Sequence, residues 1–396
     1  MARGRRRGQI ESRGDDCYRI KVFTGYEQDE MSRLKRCYHS ETIHGTKKEA
    51  ERRLTMLLNE LDRGTLIKET KETLNQYLDR WLAVAAKPRV SPSTYADYVW
   101  LLRTYVRPVL GKKRLAQVKP VDIQALYTAM LEKGLSARTV RYTHSVLRSA
   151  LGQAVRWQII AQNPTQYVDL PRNDHKEMKC LQPHQARRFL EVAQGSPYYA
   201  LFVIAITTGM RPGEYLALRW EDVNLETGTI SVRRSLVTRR TKRAQGDSEP
   251  WWQFKEPKTP KSRRTIKLPP GAVQVLKAHR ATQAEQRLAA GPEWQDLDLV
   301  FAGEHGQPLD RHNLVRRHFK PLLTKAGLPD SIRLYDLRHT CATLLLAAGE
   351  NPKVTSERLG HASVNMTLGT YSHVLPDMQQ GAAEKLQGML WGSSNR

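Results

Sequence analysis

Residues 208–214 read Thr208-Gly209-Met210-Arg211-Pro212-Gly213-Glu214, immediately after the apolar run 200–206, which has the length of a buried helix segment. Gly209 permits a sharp turn at the end of that helix, and Pro212 suits the first turn of a new one. Arg211 is thereby placed at a helix start, where backbone N–H groups add to a guanidinium's attraction for an anion. Glu214 lies one turn on and can hold that guanidinium in place. Taken alone, the pair could equally be a surface ion pair.

Downstream, residues 334–340 (LYDLRHT) open an amphipathic helix. Leu337, Cys341, Leu344, Leu345 and Ala348 are expected to face inward, and Gly349 ends it. Arg338 emerges near its start, with Tyr335 one turn earlier. Pro352 begins a short helix that closes at Leu359-Gly360, so His361 follows a C-capping glycine on a bend. Residues 367–374 (TLGTYSHV) form another short helix carrying Tyr371. Beyond Pro376 an amphipathic tail carries Met378, Ala382, Leu386, Met389 and Leu390.

Upstream, the pattern divides. Residues 18–23 and 35–43 alternate as strands, and Thr46 with Glu49 forms a capping box. That box opens a helix with Leu54, Leu57, Leu58 and Leu61 on one face and Gly64 at its end. From about residue 73 to 169 the pattern is wholly helical. Leu74, Leu78, Trp81 and Leu82 make the first face, Ser91-Pro92-Ser93 starts the second helix, and the third and fourth span 121–132 and 136–155. Lys112, Lys113, Arg138 and Arg141 are exposed cations of this stretch and candidate phosphate contacts. Residues 171–179 are polar and aperiodic, a linker. The remainder mixes helices with a strand-rich basic stretch, 229–268. Inside it, residues 232–257 form a polar insertion with Arg239, Arg240, Lys242, Arg243 and Trp251-Trp252.

The chain has 396 residues, a formal net charge of +24 and 40% hydrophobic residues, enough for two or three domains with true cores. Such a basic balance implies a polyanionic partner, and nucleic acid is the common one. No apolar run approaches the roughly 18 residues of a membrane span, and no apolar stretch follows the basic N-terminus, so neither a membrane partner nor a secretory leader is expected. Cys17, Cys37, Cys180 and Cys341 lack zinc-ligand spacing. They read as reduced thiols in cytoplasm, with a Cys17–Cys37 bridge as the alternative. No metal and no cofactor are expected.

Breaking a phosphodiester without metal requires cationic donors on the non-bridging oxygens, a nucleophile and an acid for the leaving oxygen. The ordered set TGMRPGE, LYDLRHT, LGHAS and TYSHV supplies candidates and resembles the signature of the tyrosine-recombinase family, which includes phage and integrative-element integrases. The resemblance implies a multidomain, mainly α protein with small β-sheets. Its parts are an arm-type DNA-binding domain (1–66; three-stranded sheet plus helix), a helical, SAM-like core-binding domain (70–170), a linker (171–180), a mixed α+β catalytic domain (181–376) and a tail (377–396) that docks on a neighbouring protomer.

It further implies that Arg211 and Arg338 clamp the scissile phosphate, Glu214 supports the first arginine, His361 hydrogen-bonds the same phosphate and Tyr371 is the nucleophile. Lys258, with Lys255 and Lys261 as rivals, is the acid for the 5′ oxygen. Arg263 and Arg264, in the same basic run, are expected to touch DNA. The expected partners are double-stranded attachment-site DNA, a homotetramer on that DNA, and an excisionase or a host DNA-bending protein. The expected location is the cytoplasm, on a bacterial nucleoid. Tyr335 departs from the pattern, because the family usually has histidine there. Two alternatives stay open, a non-catalytic DNA-binding regulator on the same scaffold and a type IB topoisomerase-like enzyme.

Overall fold

The computed structural model describes residues 8–28, 34–62, 71–173, 178–238, 250–256, 262–361, 363–371 and 386–391. Lys258, Lys261, Gly64, Met378, Ala382 and the basic tip with Arg239, Arg240, Lys242 and Arg243 lie outside them. The chain divides into two compact units, residues 1–175 and 176–396.

The first unit begins with β1 (Gly8–Ser12), β2 (Cys17–Gln28) and β3 (Leu34–His44), an antiparallel sheet in that order. Ile20 and Val22 project from one face of β2 onto Ala50 and Leu57 of α1 (Lys47–Asp62), and this small core is completed by Ile10, Tyr18, Ile43 and Leu54. The Thr46 backbone N–H donates to Glu49 Oε2 at 2.7 Å, closing the expected capping box. β1 has no strong alternation of its own and is recruited by pairing with β2, Ile10 opposite Ile20. Cys17 pairs with His44 and Cys37 with Gly25, which separates the two cysteines by about 25 Å along the ladder. That is far beyond the reach of a disulfide.

The helical part comprises α2 (Leu74–Trp81), α3 (Pro92–Leu101), α4 (Arg107–Leu110), α5 (Pro120–Glu132) and α6 (Ala137–Arg156). Single π-type turns, Leu82–Ala86 and Leu102–Val106, extend α2 and join α3 to α4. Thr73, Ser91 and Ser136 cap the starts with their hydroxyls. Leu74, Leu78, Trp81, Leu102, Ile123, Leu126, Leu147 and Leu151 fill the core. Lys112, Lys113, Arg138 and Arg141 remain exposed, although Lys113 pairs with Asp122 and Arg141 donates to the Pro171 carbonyl.

The second unit starts with α7 (Pro183–Ala193), α8 (Tyr199–Thr208) and α9 (Pro212–Tyr215), then β4 (Val223–Asn224), β5 (Thr229–Val232), β6 (Ser235–Thr238), β7 (Trp252–Lys255) and β8 (Arg264–Lys267). β4, β5 and β8 form one sheet, and β6 with β7 forms a separate two-stranded ladder, the base of the insertion. α10 (Pro270–Ala290), α11 (Arg311–Leu314), α12 (Lys320–Lys325), α13 (Asp336–Ala347), α14 (Pro352–Leu359) and α15 (Val364–Tyr371) follow. The apolar α8 is buried along nearly its whole length and forms the hub of the core with Phe189, Phe319, Ile230 and Ile266. α13 is buried differently from expectation. Leu337 and Cys341 are buried as expected and Ala342, Thr343 and Leu346 are covered with them, whereas Leu344 and Leu345 are half-buried and Ala348, the C-cap, is exposed. No helix among the described residues is long and apolar enough to cross a membrane.

Candidate active site

Two glycine turns build the site. α8 ends at Gly209 with φ +65°, where a Cβ would lie 2.5 Å from Leu359 Cδ2, so both conformation and space call for glycine. α14 ends at Gly360 with φ +69°. The His361 N–H then donates to the Ser356 carbonyl at 3.0 Å, fixing the bend that the sequence suggested.

These turns expose backbone carbonyls toward arginines from distant elements. Arg338 Nη1 donates to the Gly209 carbonyl at 2.8 Å, and Arg211 Nη2 donates to the Gly360 carbonyl at 3.2 Å. Arg211 is the N-cap of α9. Its backbone N–H donates to Glu214 Oε2 at 2.9 Å and its Nη1 to Glu214 Oε1 at 2.7 Å. Glu214, only 4% exposed, also accepts from Arg264 Nη2 at 2.9 Å. Burial alone would raise the Glu214 carboxyl, but the Arg264 charge and hydrogen bond, with Arg211 behind them, hold it below the ordinary carboxylate value.

Among the described residues Arg338 is the largest fully buried side chain, 1% exposed. Its Nη1 bond goes to a neutral carbonyl, and its Nε and Nη2 groups are buried with no partner among the described residues. Burial and then the neighbouring Arg211 lower its pKa to about 10, so it stays charged at neutral pH. A buried cation with unmet donors is costly unless an anion arrives.

His361 shares this environment. Its Nδ1 lies 2.8 Å from Thr367 Oγ1, and burial, with Arg338 and Arg211 next, brings its pKa down to about 4. Tyr335, the N-cap of α13, is 38% exposed and its ring lies 5.3 Å from that of His339. Burial brings His339 to about 4 as well.

Of the residues singled out in the sequence, Arg211, Glu214, Arg338 and His361 thus come together in one cluster. Tyr371 is the last residue of α15. Lys255 closes β7 and Ser262 precedes β8, on either side of the segment bearing Lys258. Arg263 points outward, 59% exposed and paired with Glu256.

Arg264 differs from the expectation that it contacts DNA. It is 7% exposed, and its Nε, Nη1 and Nη2 are taken by the Arg358 carbonyl, the Ser262 carbonyl and Glu214. The strand period carries this signal, since Arg264 shares a face with the buried Ile266 two residues on. Arg358, whose Nη2 donates to the carbonyls of Thr207 and Lys267, ties α14 to α8 and β8 and had no sequence signature. Among the described residues no cluster of His, Cys, Asp or Glu could hold a metal.

A model of the phage integrase family matches residues 179–378, the whole of the site, and a model of the phage integrase N-terminal SAM-like domain matches residues 73–131. The chain belongs to the phage integrase family of tyrosine recombinases. Its activity class is tyrosine-recombinase-type site-specific DNA recombination. An integrase of Streptomyces ambofaciens is 32% identical over 345 residues, 85% of this chain and 86% of that one. A XerC-like tyrosine recombinase of Caldanaerobacter subterraneus subsp. tengcongensis is 29% identical over 386 residues, 95% of this chain and 97% of its own. Among solved structures, a Tn1549 transposon integrase in complex with transposon right end DNA aligns with TM-score 0.66 and 26% identity, over 80% of this integrase-family chain and 99% of that chain.

Proposed function

We propose that this protein integrates or excises a phage or mobile element by cutting and rejoining DNA through a 3′-phosphotyrosyl link. One observation carries the reading: the buried Arg338 guanidinium, with two donor groups that have no partner among the described residues, beside the braced guanidinium of Arg211. A phosphodiester passing through a pentavalent state gathers charge on its non-bridging oxygens, and fixed guanidinium donors meet that charge.

In the proposed reaction the Tyr371 hydroxyl loses its proton to water, the neighbouring arginine charges stabilising the phenolate, and its oxygen attacks phosphorus. A bond to the 3′-phosphate forms, the bond to the 5′ oxygen breaks, and Lys258 gives that oxygen a proton. Arg211, Arg338 and the His361 imidazole hold the phosphate oxygens, while Glu214 steadies Arg211. The reverse attack by another 5′ hydroxyl restores the backbone and frees Tyr371, with no net loss of bond energy. Tyr335 replaces the usual histidine. A phenol lacks the basic ring nitrogen of an imidazole, so nucleophile activation falls to the arginine pair.

The partner is double-stranded attachment-site DNA, in keeping with the DNA held by the Tn1549 relative. Residues 1–66 bind arm-type sites. Residues 70–170 bind the core, with Lys112, Lys113, Arg138 and Arg141 on phosphates and Arg263 joining them from the catalytic domain, residues 181–376. The protein works as a homotetramer linked by its tails. Exposed Leu386, Met389, Leu390 and Trp391 on the tail helix support such docking. An excisionase or host DNA-bending protein sets direction.

The test begins by sequencing the DNA that the purified protein joins, which yields its site. A suicide oligonucleotide of that site should then trap an SDS-resistant adduct that Tyr371→Phe abolishes. Tight binding with no adduct would make the chain a regulator, the reading that Tyr335 favours. Relaxation of plasmids regardless of sequence would make it topoisomerase-like.

A further inference from the structure

The helix that bears Tyr371 also carries a group in contact with the site. Thr367 of α15 is fully buried, and its Oγ1 is 2.8 Å from Nδ1 of His361, across the turn from α14. It precedes Tyr371 by four residues, one helical turn, so the two share a helix face. We propose that Thr367 is a positioning residue of the cleavage reaction. Its hydroxyl donates to His361 Nδ1 and fixes the imidazole with Nε2–H toward the scissile phosphate, so that seating the Tyr371 helix and arming the histidine become one event. The proposal rests on the strand-transfer reading above.

The chemistry leaves little choice of tautomer. His361 is kept neutral by its burial and by the two arginines, so the ring has a single N–H to place. Which nitrogen carries it follows from the partner of the other. A bare Nε2 lone pair facing a phosphate oxygen is repelled, whereas Nε2–H donates to it. That form needs an acceptor role at Nδ1, and a threonine hydroxyl, whose proton rotates freely, supplies the donor. The His361 backbone is already fixed by its N–H to the Ser356 carbonyl, leaving ring orientation and tautomer as the variables that Thr367 controls. Withdrawal of α15 from the pocket would remove the hydroxyl together with the nucleophile. A protomer whose tyrosine is not delivered would then hold a disarmed histidine as well.

The experiment uses the full chain and its suicide attachment-site oligonucleotide. Thr367→Ser, which keeps the hydroxyl, should form adduct within about threefold of wild type. Thr367→Val, which keeps the shape, should slow it by about 10- to 100-fold, the range found when the partner that orients a metal-bound histidine is removed, with DNA affinity unchanged. In a His361→Ala background the same Thr367→Val change should cost less than about twofold, because Thr367 acts through the histidine. An equal penalty in both backgrounds means that Thr367 only docks the helix, and a wild-type rate for Thr367→Val means it does nothing; either overturns the proposal. Histidine ¹⁵N spectra of the wild type at pH 7, assigned with His361→Ala, give a readout that does not depend on the valine variant folding. Nε2–H with bare Nδ1 supports the proposal and the opposite tautomer sinks it. A wild type that makes no adduct ends the strand-transfer reading and this one with it, whereas normal adduct from Thr367→Val ends only this one.

Discussion

Replacing Arg264 with alanine separates a residue that holds the pocket together from one that touches DNA. Arg264 is 7% exposed and spends its donors on Glu214, the Arg358 carbonyl and the Ser262 carbonyl. Removing it strands a buried carboxylate and two carbonyls, and breaking a buried pair costs about 3–5 kcal/mol. Glu214 keeps its bonds to Arg211, which argues for the lower end. At about 2–4 °C per kcal/mol for a unit of this size, the catalytic unit should melt about 6–12 °C lower by calorimetry of the DNA-free protein. The difference should depend on pH. The Glu214 carboxyl is held below its ordinary value, so its contribution is complete above the unfolded carboxylate's value of about 4.3 and is lost as pH falls through the folded one. The gap between wild type and Arg264→Ala should therefore close on acidification. Arg263→Ala, next door but exposed, should leave the melt unchanged and weaken DNA binding, with the salt slope reduced by about one. If Arg264→Ala melts like wild type and instead loses DNA affinity with that slope change, the assignment of Arg264 to the interior is wrong.

Gly209→Ala should destabilise the catalytic unit by about 1–3 kcal/mol, from positive φ and the close approach to Leu359, and should abolish adduct formation at any temperature where it folds; chemical denaturation and the suicide-substrate assay check the two halves. Lys258→Ala should cleave slowly yet recover when the 5′ leaving oxygen is replaced by sulfur, which needs less protonation. An unrescued mutant would shift the acid's role to Lys255 or Lys261. Deletion of residues 1–63 should spare cleavage at a core site while weakening binding at distal sites in gel-shift experiments, and collapse of core cleavage would refute the division of labour between the domains.

Much of the site was legible because its parts are tied to turns. Gly209 and Gly360 punctuate helices in a way that sequence declares, and Arg211 and His361 inherit their places from them. The helical faces of α2 to α6 were equally readable, since period and caps agree. β1 was not, because a short strand stabilised only by its neighbour has no pattern of its own. Arg264 was misread because a basic run invites a surface interpretation, although its two-residue offset from Ile266 pointed inward. Thr367 and Arg358 offered no local cue; their partners are fixed by tertiary approach, which spacing along the chain does not encode.

The two arginines of the pocket share one further property. Each is moored to a main-chain oxygen, Arg338 to that of Gly209 and Arg211 to that of Gly360. Such oxygens belong to every amino acid, so no codon change deletes them. What heredity must preserve at those points is only the bend of the chain. Side chains around the pair can change while both guanidiniums keep the same moorings.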